Sequence, residues 1–284
     1  MGREFIRRYA QDFEIYAVSR AQSVSLLPGG IKPIVLDLAS DFDCSEMPSN
    51  IDMVVHLAQS RDYKELPRKV IDVFRVNVLS TLKLLDYARK AGATKFVFAS
   101  SGAIYGGSNQ LVFDEHSPAR PGDFYALSKL QAEQLVTHYH SFFGFAILRF
   151  FFIYGPGQKK MLIPGLIDRI GHGRPVALNG ERGIKLNPIY LTDAVECVFQ
   201  SLKVKQVGIL NVAGPEVVDI YSVSEMISKI LGKAAHFHRQ TDSGKEDFVA
   251  STERLKKVLN FTARIGLEQG LKETIEAPST ALSY

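Results

Sequence analysis

Tyr125 and Lys129, in the stretch "YALSK", have the spacing of an acid–base pair. Side chains four residues apart lie on the same face of a helix. A free phenol titrates at about 10, too high for a base at neutral pH, and a nearby ammonium lowers that pKa. The pair could therefore act as a general base, although the same spacing is common on solvated helices.

A serine-bearing segment, "ASSGAIYG", lies upstream of this pair and contains Ser100 and Ser101. A serine hydroxyl at a strand end could hydrogen-bond the same substrate oxygen as Tyr125. Together these groups could remove a proton from a carbinol while a hydride leaves its carbon. Asn77, on an earlier predicted helix, adds a further polar group, and the combination favours a catalytic site over a solvated helix face.

The elements that must position these residues alternate between apolar strands and amphipathic helices. Strands are predicted at "KPIVLDL", "IDMVVHLAQ", "TKFVFASSGAIYG" and "FAILRFFFIYG", and long helices over residues 69–93 and 123–140. Near-continuous apolar strands between helices predict an α/β fold, a Rossmann-like doubly wound parallel sheet with ligands at the carboxyl ends of its strands. We expect a dinucleotide-binding domain over residues 1–153, with residues 187–213 packing back on it. Glycines and prolines break up the chain afterwards, which predicts a smaller substrate-binding lobe over residues 154–284.

Composition excludes several classes of protein. The 284 residues are 46% hydrophobic and 23% charged, enough for a large core. The net charge of +4 is scattered, so no nucleic-acid partner is expected. There is no apolar run long enough for a membrane span, and the first residues are too charged for a secretory signal. Cys44 and Cys197 are far apart and predict neither a disulfide framework nor a metal site, which fits the cytoplasm.

The motifs resemble, in order, those of the extended short-chain dehydrogenase/reductases that act on nucleotide sugars, the NAD-dependent epimerase/dehydratase family that includes UDP-glucose 4-epimerase. The matching segments are "VVHLAQ", "VNVLSTLKLLDYARKAG", "FVFASSGAIYG", "FYALSKLQAEQLV", "LRFFFIYGPGQ", "LNPIYLTDAVECV" and "LNVAGPEVVDIYSVSEM". Each segment alone is weak evidence for the family, but the occurrence of all of them in this order is specific for it.

The resemblance implies roles for individual residues. Ser101, Tyr125 and Lys129 would be catalytic, and Lys129 would also bind the nicotinamide ribose. The remaining cofactor contacts would be Asp37 and Leu38 beside the adenine, and Leu57, Ala58 and Gln59 along the middle of the cofactor. Asn77 would support either the hydrogen bonding of the active site or the cofactor. Alternatively, Asp37 caps a turn, Leu57 and Ala58 are core residues, and His56 is a packing residue.

The family fingerprint is a strand and a glycine-rich turn that leads into a helix. By resemblance Gly2 is its last glycine and "REFIRRYA" is the helix behind it. The strand and first two glycines have no counterpart here, which predicts a vacant central position in the sheet, a lost pyrophosphate cradle and poor cofactor affinity. We therefore hypothesise that the sequence is an N-terminally shortened form.

Cofactor choice depends on the end of the second strand of the fold. NAD-dependent relatives usually have an acidic residue there, which binds the ribose 2′-hydroxyl. Ser19 and Arg20 occupy this place, and a guanidinium can pair with a 2′-phosphate. The sequence therefore predicts NAD or NADP, with a slight preference for NADP.

The residues immediately after Ser101 narrow the choice of reaction. Family dehydratases usually have acidic groups there, whereas this chain has Gly102 and Ala103, which argues against a 4,6-dehydratase. A nucleotide-sugar epimerase is the leading prediction. A nucleotide-4-keto-sugar reductase and a non-catalytic dinucleotide-binding protein remain as alternatives.

Substrate contacts and assembly are also predicted by resemblance. Phe152 occupies a position where relatives often have a sugar-binding asparagine. Arg182 and Asn187 could hold the diphosphate or the base, or could only occupy a surface loop. The two long predicted helices form apolar surfaces through which relatives dimerise, so a homodimer is expected.

Overall fold

The computed structural model describes residues 1–107, 112–159, 161–240 and 247–277. Its α-helices are α1 (Gly2–Tyr9), α2 (Val70–Phe74), α3 (Ser80–Lys90), α4 (Phe124–His138), α5 (Leu162–Gly171), α6 (Leu191–Lys203), α7 (Ile220–Leu231), α8 (Glu253–Leu259) and α9 (Leu267–Glu276). Its strands are β1 (Tyr16–Ser19), β2 (Lys32–Val35), β3 (Met53–His56), β4 (Lys95–Ser101), β5 (Val112–Phe113), β6 (Gly144–Phe150), β7 (Ile153–Tyr154), β8 (Val176–Asn179), β9 (Lys185–Leu186), β10 (Ile189–Tyr190), β11 (Gly208–Val212), β12 (Val218–Asp219), β13 (Phe237–Gln240) and β14 (Val249–Ala250).

The chain divides into two compact units. The first contains residues 1–106, 121–149 and 195–210, and the second contains residues 107–120, 150–194 and 211–284. The sequence places the boundary at residue 153 with a return over residues 187–213. In the structure the chain enters the second unit at residue 150, after an earlier excursion over residues 107–120, and the returning segment is residues 195–210.

The first unit is built on a four-stranded sheet with the order β11-β6-β4-β3, in which β3 and β4 are parallel. Strands β4 and β6 are almost entirely buried, as expected for apolar strands covered on both faces. A core of side chains from α3, α4, β4 and β6 covers one face, and includes Leu85, Phe96, Ala132 and Ile147. The predicted α/β architecture with a parallel sheet is confirmed.

Strands β1 and β2 form a separate parallel pair. Within the described part of the chain, no strand pairing joins this pair to β3. The side chains of β1 and β3 are only half-buried on average, whereas β4 is buried along nearly its whole length. Helix α1 packs through Tyr9, whose ring stacks on Phe199 at 4.0 Å.

The helix predicted over residues 69–93 is interrupted. Between α2 and α3, residues Arg75–Leu79 form a π-helical turn that contains Asn77. Such turns insert one extra residue into a helix and are frequent at functional sites. The interruption re-aims Asn77 relative to a regular helix, and hydrophobic periodicity alone gives no sign of it.

The second unit consists of short strand pairs and helices around its own apolar core. The pairs are β7 with β10, β8 with β13, β9 with β12 and β5 with β14. Helices α5, α7 and α9 supply much of that core, including Ile163, Ile227 and Leu271. The strand predicted over "FAILRFFFIYG" ends at Phe150, because the backbone of Phe152 turns to a φ of 43° before β7 begins.

Candidate active site

Helix α4 positions the residues of "YALSK". It begins after Asp123, whose carboxylate accepts a hydrogen bond from the Ala126 N–H at 2.7 Å and caps the first turn. Tyr125, Lys129 and Glu133 follow at intervals of four residues and lie on one face of the helix. Lys129 and Glu133 are buried, and Tyr125 is half-buried at the N-terminal end of that face.

The last three residues of β4 each contact one residue of this helix face. The Ala99 carbonyl accepts a hydrogen bond from Lys129 Nζ at 2.8 Å. Ser100 Oγ donates to Glu133 Oε1 at 2.5 Å. Ser101 hydrogen-bonds with the Tyr125 side chain. The carboxyl end of a buried strand and the first turns of α4 therefore form one polar site, as the sequence predicts for Ser101 and Tyr125.

The Tyr125 hydroxyl also donates a hydrogen bond to Gln59 Oε1 at 2.9 Å, and its ring packs against Tyr63 with 4.6 Å between centroids. Burial raises the pKa of Tyr125 above its usual value, and the hydrogen bond with Ser101 opposes this effect. In this conformation the phenol is protonated at neutral pH.

Lys129 is 1% exposed, and its ammonium lies 4.9 Å from the centroid of the Phe98 ring. Burial lowers the pKa of Lys129 to about 7, while the charge of Glu133 raises it. The sequence predicts that Lys129 lowers the pKa of Tyr125, but in the structure desolvation dominates and the ammonium is bound to the Ala99 carbonyl. The catalytic roles of Ser101, Tyr125 and Lys129 stay a prediction at this point.

Asn77 links the loop after β3 to the first turn of α4. Its side chain is 1% exposed, and its Oδ1 accepts from the Ser60 N–H at 2.9 Å. Its Nδ2 donates to Ser128 Oγ at 2.9 Å, and Ser128 Oγ donates to the Tyr125 carbonyl at 2.7 Å. These bonds fit a support for the hydrogen bonding of the site, one of the two roles that the resemblance implies for Asn77, and the role itself stays a prediction.

The loop after β3 brings Gln59 to the Tyr125 hydroxyl, while Leu57 and Ala58 are half-buried beside it. His56, the last residue of β3, is 4% exposed and hydrogen-bonds to Thr81 Oγ1 at 3.0 Å. Burial lowers the pKa of His56 to about 3, so the imidazole is neutral. These contacts fit a packing residue.

The other predicted cofactor residues lie around β1, β2 and α1. Asp37 follows β2 and its Oδ1 accepts from the Ala39 N–H at 3.0 Å, so it caps a turn, as the alternative interpretation holds. Leu38 is half-buried in that turn, and Ser19 and Arg20 are half-buried at the end of β1. A Cβ at Gly2 would meet no atom within 4 Å, so the packing around it does not require glycine.

The predicted substrate residues lie in the second unit. Phe152 contacts the Phe248 ring edge-on at 5.8 Å. Arg182 forms an ion pair with Asp219 at 2.7 Å. Asn187 is buried, and its amide exchanges two hydrogen bonds with the backbone of Ala250, at 2.8 and 3.0 Å. These bonds give Asn187 a structural role in its unit, and substrate binding by all three residues stays a prediction.

Sequence reasoning missed the polar residues behind the site, above all Glu133 and Arg149, which form a buried ion pair at 2.7 Å. The signal was present, because Glu133 continues the four-residue spacing of Tyr125 and Lys129, and Arg149 stands inside an apolar strand. A charged residue in a buried pattern predicts a partner.

Two other kinds of feature are absent from the part of the chain that the structure describes. These residues contain no group of three or more His, Cys, Asp or Glu side chains placed to hold a metal ion. None of the helices described is both long enough and apolar enough to span a membrane.

A parallel sheet whose strand end presents a serine to a tyrosine and a lysine, four residues apart on the next helix, defines the short-chain dehydrogenase/reductase class. The sequence profile of the NAD dependent epimerase/dehydratase family matches residues 1–213. The chain belongs to this family, which confirms the predicted resemblance.

The chain is also similar to individual members of the family and to solved structures. UDP-glucuronate 4-epimerase from Thermodesulfobacterium geofontis (strain OPF15) is 29% identical over 238 residues, which cover 80% of this chain and 72% of the relative. dTDP-D-glucose 4,6-dehydratase from Mus musculus is 28% identical over 241 residues, which cover 80% and 67%. Among solved structures, MoeE5 in complex with UDP-glucuronic acid and NAD has a TM-score of 0.83 and 28% identity, with 97% of this chain and 94% of that chain covered.

Proposed function

We propose that the protein is a nucleotide-sugar 4-epimerase that uses NAD. The observation that carries the proposal is that Ser101 hydrogen-bonds with Tyr125 while Lys129, one helical turn further on, binds the Ala99 carbonyl at the carboxyl end of β4. The similarity to UDP-glucuronate 4-epimerase and to MoeE5, which was solved with UDP-glucuronic acid and NAD, supports it.

The residues at the carboxyl ends of β3 and β4 suit binding of the nicotinamide half of a dinucleotide. The loop after β3 and the end of β4 are linked through the hydrogen bond between Gln59 and Tyr125. When bound, the nicotinamide supplies the hydride acceptor.

The protein's own residues supply the proton transfer in this proposal. Tyr125 accepts the proton of the sugar hydroxyl, and Ser101 hydrogen-bonds the same oxygen and orients it. The ammonium of Lys129 offsets the charge that develops on the phenol. Because burial raises the pKa of Tyr125 in the present structure, this electrostatic help is required for catalysis near neutral pH.

NAD is preferred over NADP in the proposal. The solved relatives named with a cofactor carry NAD, and the preference for NADP predicted from Arg20 has no support among them. The cleft at the carboxyl end of β2 also contains four carboxylates, from Asp37, Asp41, Asp43 and Glu46. Carboxylates bind ribose hydroxyls and repel a 2′-phosphate.

Substrate binding and assembly complete the proposal. The second unit would bind the nucleotide sugar, with Phe152, Arg182 and Asn187 as its first candidates for mutation. Exposed apolar side chains on α2 and α4 support a homodimer; they include Ile71, Phe74 and Leu127, which are 61%, 40% and 38% exposed. Cys44 and Cys197 are free thiols and suit the cytoplasm.

One incubation distinguishes the candidate reactions. Purified protein with NAD and UDP-glucuronic acid or UDP-glucose is followed by proton NMR of the sugar and by absorbance of reduced nicotinamide. An epimerase interconverts the C4 epimers, and the amount of reduced cofactor that accumulates stays below the amount of enzyme. Net reduction of NAD, with one 4-keto sugar formed for each reduced cofactor, indicates the reductase acting in reverse. Cofactor binding without conversion of any nucleotide sugar indicates the non-catalytic alternative.

A further inference from the structure

A buried polar network lies directly behind Lys129. Glu133 is 3% exposed and Arg149 is 5% exposed, and the Arg149 guanidinium makes hydrogen bonds to both carboxylate oxygens of Glu133, the shortest at 2.7 Å. Ser100 Oγ donates to Glu133 at 2.5 Å, and Arg149 Nη1 donates to the Tyr105 hydroxyl at 2.8 Å. Every member is held in place, so the charges have fixed positions.

The network is joined to the active site through two elements. On α4, Glu133 stands one turn beyond Lys129 on the same face. On β4, Ser100 lies between Ala99, which binds Lys129, and Ser101, which binds Tyr125. The position of Glu133 therefore fixes the position of the β4 end relative to the lysine.

Glu133 also opposes the cost of burying the lysine. Burial disfavours the ammonium form of Lys129, and the charge of Glu133 favours it. The other titratable and charged groups around Lys129 do not help: His56 on β3 is neutral, Tyr125 on α4 is protonated, and Arg149 on β6 carries a like charge.

A buried ion pair is weak evidence for stability, because apolar residues of similar volume often stabilise a core equally well. The pair of Glu133 and Arg149 thus calls for another explanation. Glu133 follows Lys129 by one helical turn, and the guanidinium holds its carboxylate in a fixed orientation.

We propose that Glu133, oriented by Arg149, is a positioning residue whose negative charge stabilises the ammonium of Lys129 and holds it in register with Ser101 and Tyr125. This inference deepens the proposed function and rests on it for the catalytic use of the ammonium. The charge on Lys129 itself can be measured in the protein without substrate, so the two proposals can fail separately.

The test is a titration of Lys129 by NMR with lysine labelled with ¹³C at Cε. The Lys129 resonance is identified by its loss in K129M. The double variant E133Q/R149M removes both charges and leaves neither partner buried and unpaired. We expect its Lys129 to titrate at least about one pH unit lower than in the parent, a tenfold loss of proton affinity.

Two variants separate charge from structure. S100A removes a hydrogen bond to Glu133 but retains the carboxylate, so its Lys129 should titrate as in the parent. R149M retains Glu133 but loses the guanidinium that orients it, so its Lys129 should also titrate below the parental pH, and a parental titration would contradict the orienting role of Arg149. If E133Q/R149M fails to fold, E133Q/R149Q, whose two amides can hydrogen-bond to each other, replaces it and must show the same shift.

Activity provides the second readout. The alkaline limb of the kcat–pH profile of E133Q/R149M should move to lower pH by the same amount as the Lys129 titration. The conservative variant E133D, which retains a carboxylate and Arg149, should keep the parental profile. A folded double variant with an unchanged Lys129 titration would overturn the inference. Unchanged titration in that variant with reduced activity would assign the pair a purely structural role.

Discussion

Asn77 offers the sharpest test of how the site is held together. Replacement by alanine removes the acceptor of the Ser60 N–H and the donor to Ser128 Oγ. Both hydrogen bonds are buried, and Asn77 itself is 1% exposed, so water cannot readily replace the missing amide.

The expected cost can be worked out from these two bonds. A stranded buried N–H costs about 1–3 kcal/mol, and the lost hydrogen bond to Ser128 adds about 0.5–1.5 kcal/mol. Asn77→Ala should therefore lower the free energy of unfolding by about 1.5–4.5 kcal/mol, a large fraction of the roughly 5–15 kcal/mol typical of a domain. Gln59, which binds the Tyr125 hydroxyl, adjoins Ser60 and loses its fixed position when the bond from Ser60 to Asn77 is lost. The value of kcat should therefore fall about tenfold to a hundredfold in the protein that remains folded.

Urea unfolding at equilibrium measures the stability change, and turnover is measured without urea. The control is Asn50→Ala, an exposed asparagine whose loss should change stability by less than about 0.5 kcal/mol. If Asn77→Ala were as stable and as active as Asn50→Ala, the linking role of Asn77 would be refuted.

Three further predictions concern stability. Because the folded pKa of Lys129 is about 7, the parent should gain about 1.4 kcal/mol per pH unit from this group as pH rises from 7 towards the unfolded value. The stability advantage of Lys129→Met in urea unfolding should thus shrink over that range, and a constant difference would contradict the burial argument. Phe152→Asn should change the free energy of unfolding by less than about 1 kcal/mol, because relief of the positive φ at this residue offsets the lost ring contact. The buried neighbour gives the comparison, since Phe151→Ala should cost about 3–5 kcal/mol. Equal losses of stability in urea would exclude backbone strain at Phe152. Amide hydrogens of β1 should exchange at least about tenfold faster than those of β4, because β1 is half-exposed and, among the residues that the structure describes, pairs only with β2. Equal protection would contradict the divided sheet.

The fold was predictable where burial imposes a pattern. Strands β4 and β6 are buried on both faces, so their sequences are continuously apolar, and α4 follows an Asp cap. The proximity of Ser101 and Tyr125 was predictable for the same reason, since the end of a strand and the start of the next helix bring their side chains together.

Other features depend on tertiary contacts that leave no local pattern. The π-helical turn at Asn77 is fixed by partners on a distant loop and on α4, and its hydrophobic spacing still reads as one helix. The pKa of Tyr125 could not be predicted from its spacing to Lys129, because the sign depends on burial and on where the ammonium is bound.

The proposed chemistry depends most directly on Tyr125. Tyr125→Phe should reduce the interconversion of C4 epimers at least about a hundredfold and leave NAD affinity within about twofold, since it removes only the proton-transferring hydroxyl. Tyr63→Phe is the matched control, because its ring packs on Tyr125 and it should retain most of the activity. Full turnover of a nucleotide sugar by Tyr125→Phe would contradict the proposed acid–base role.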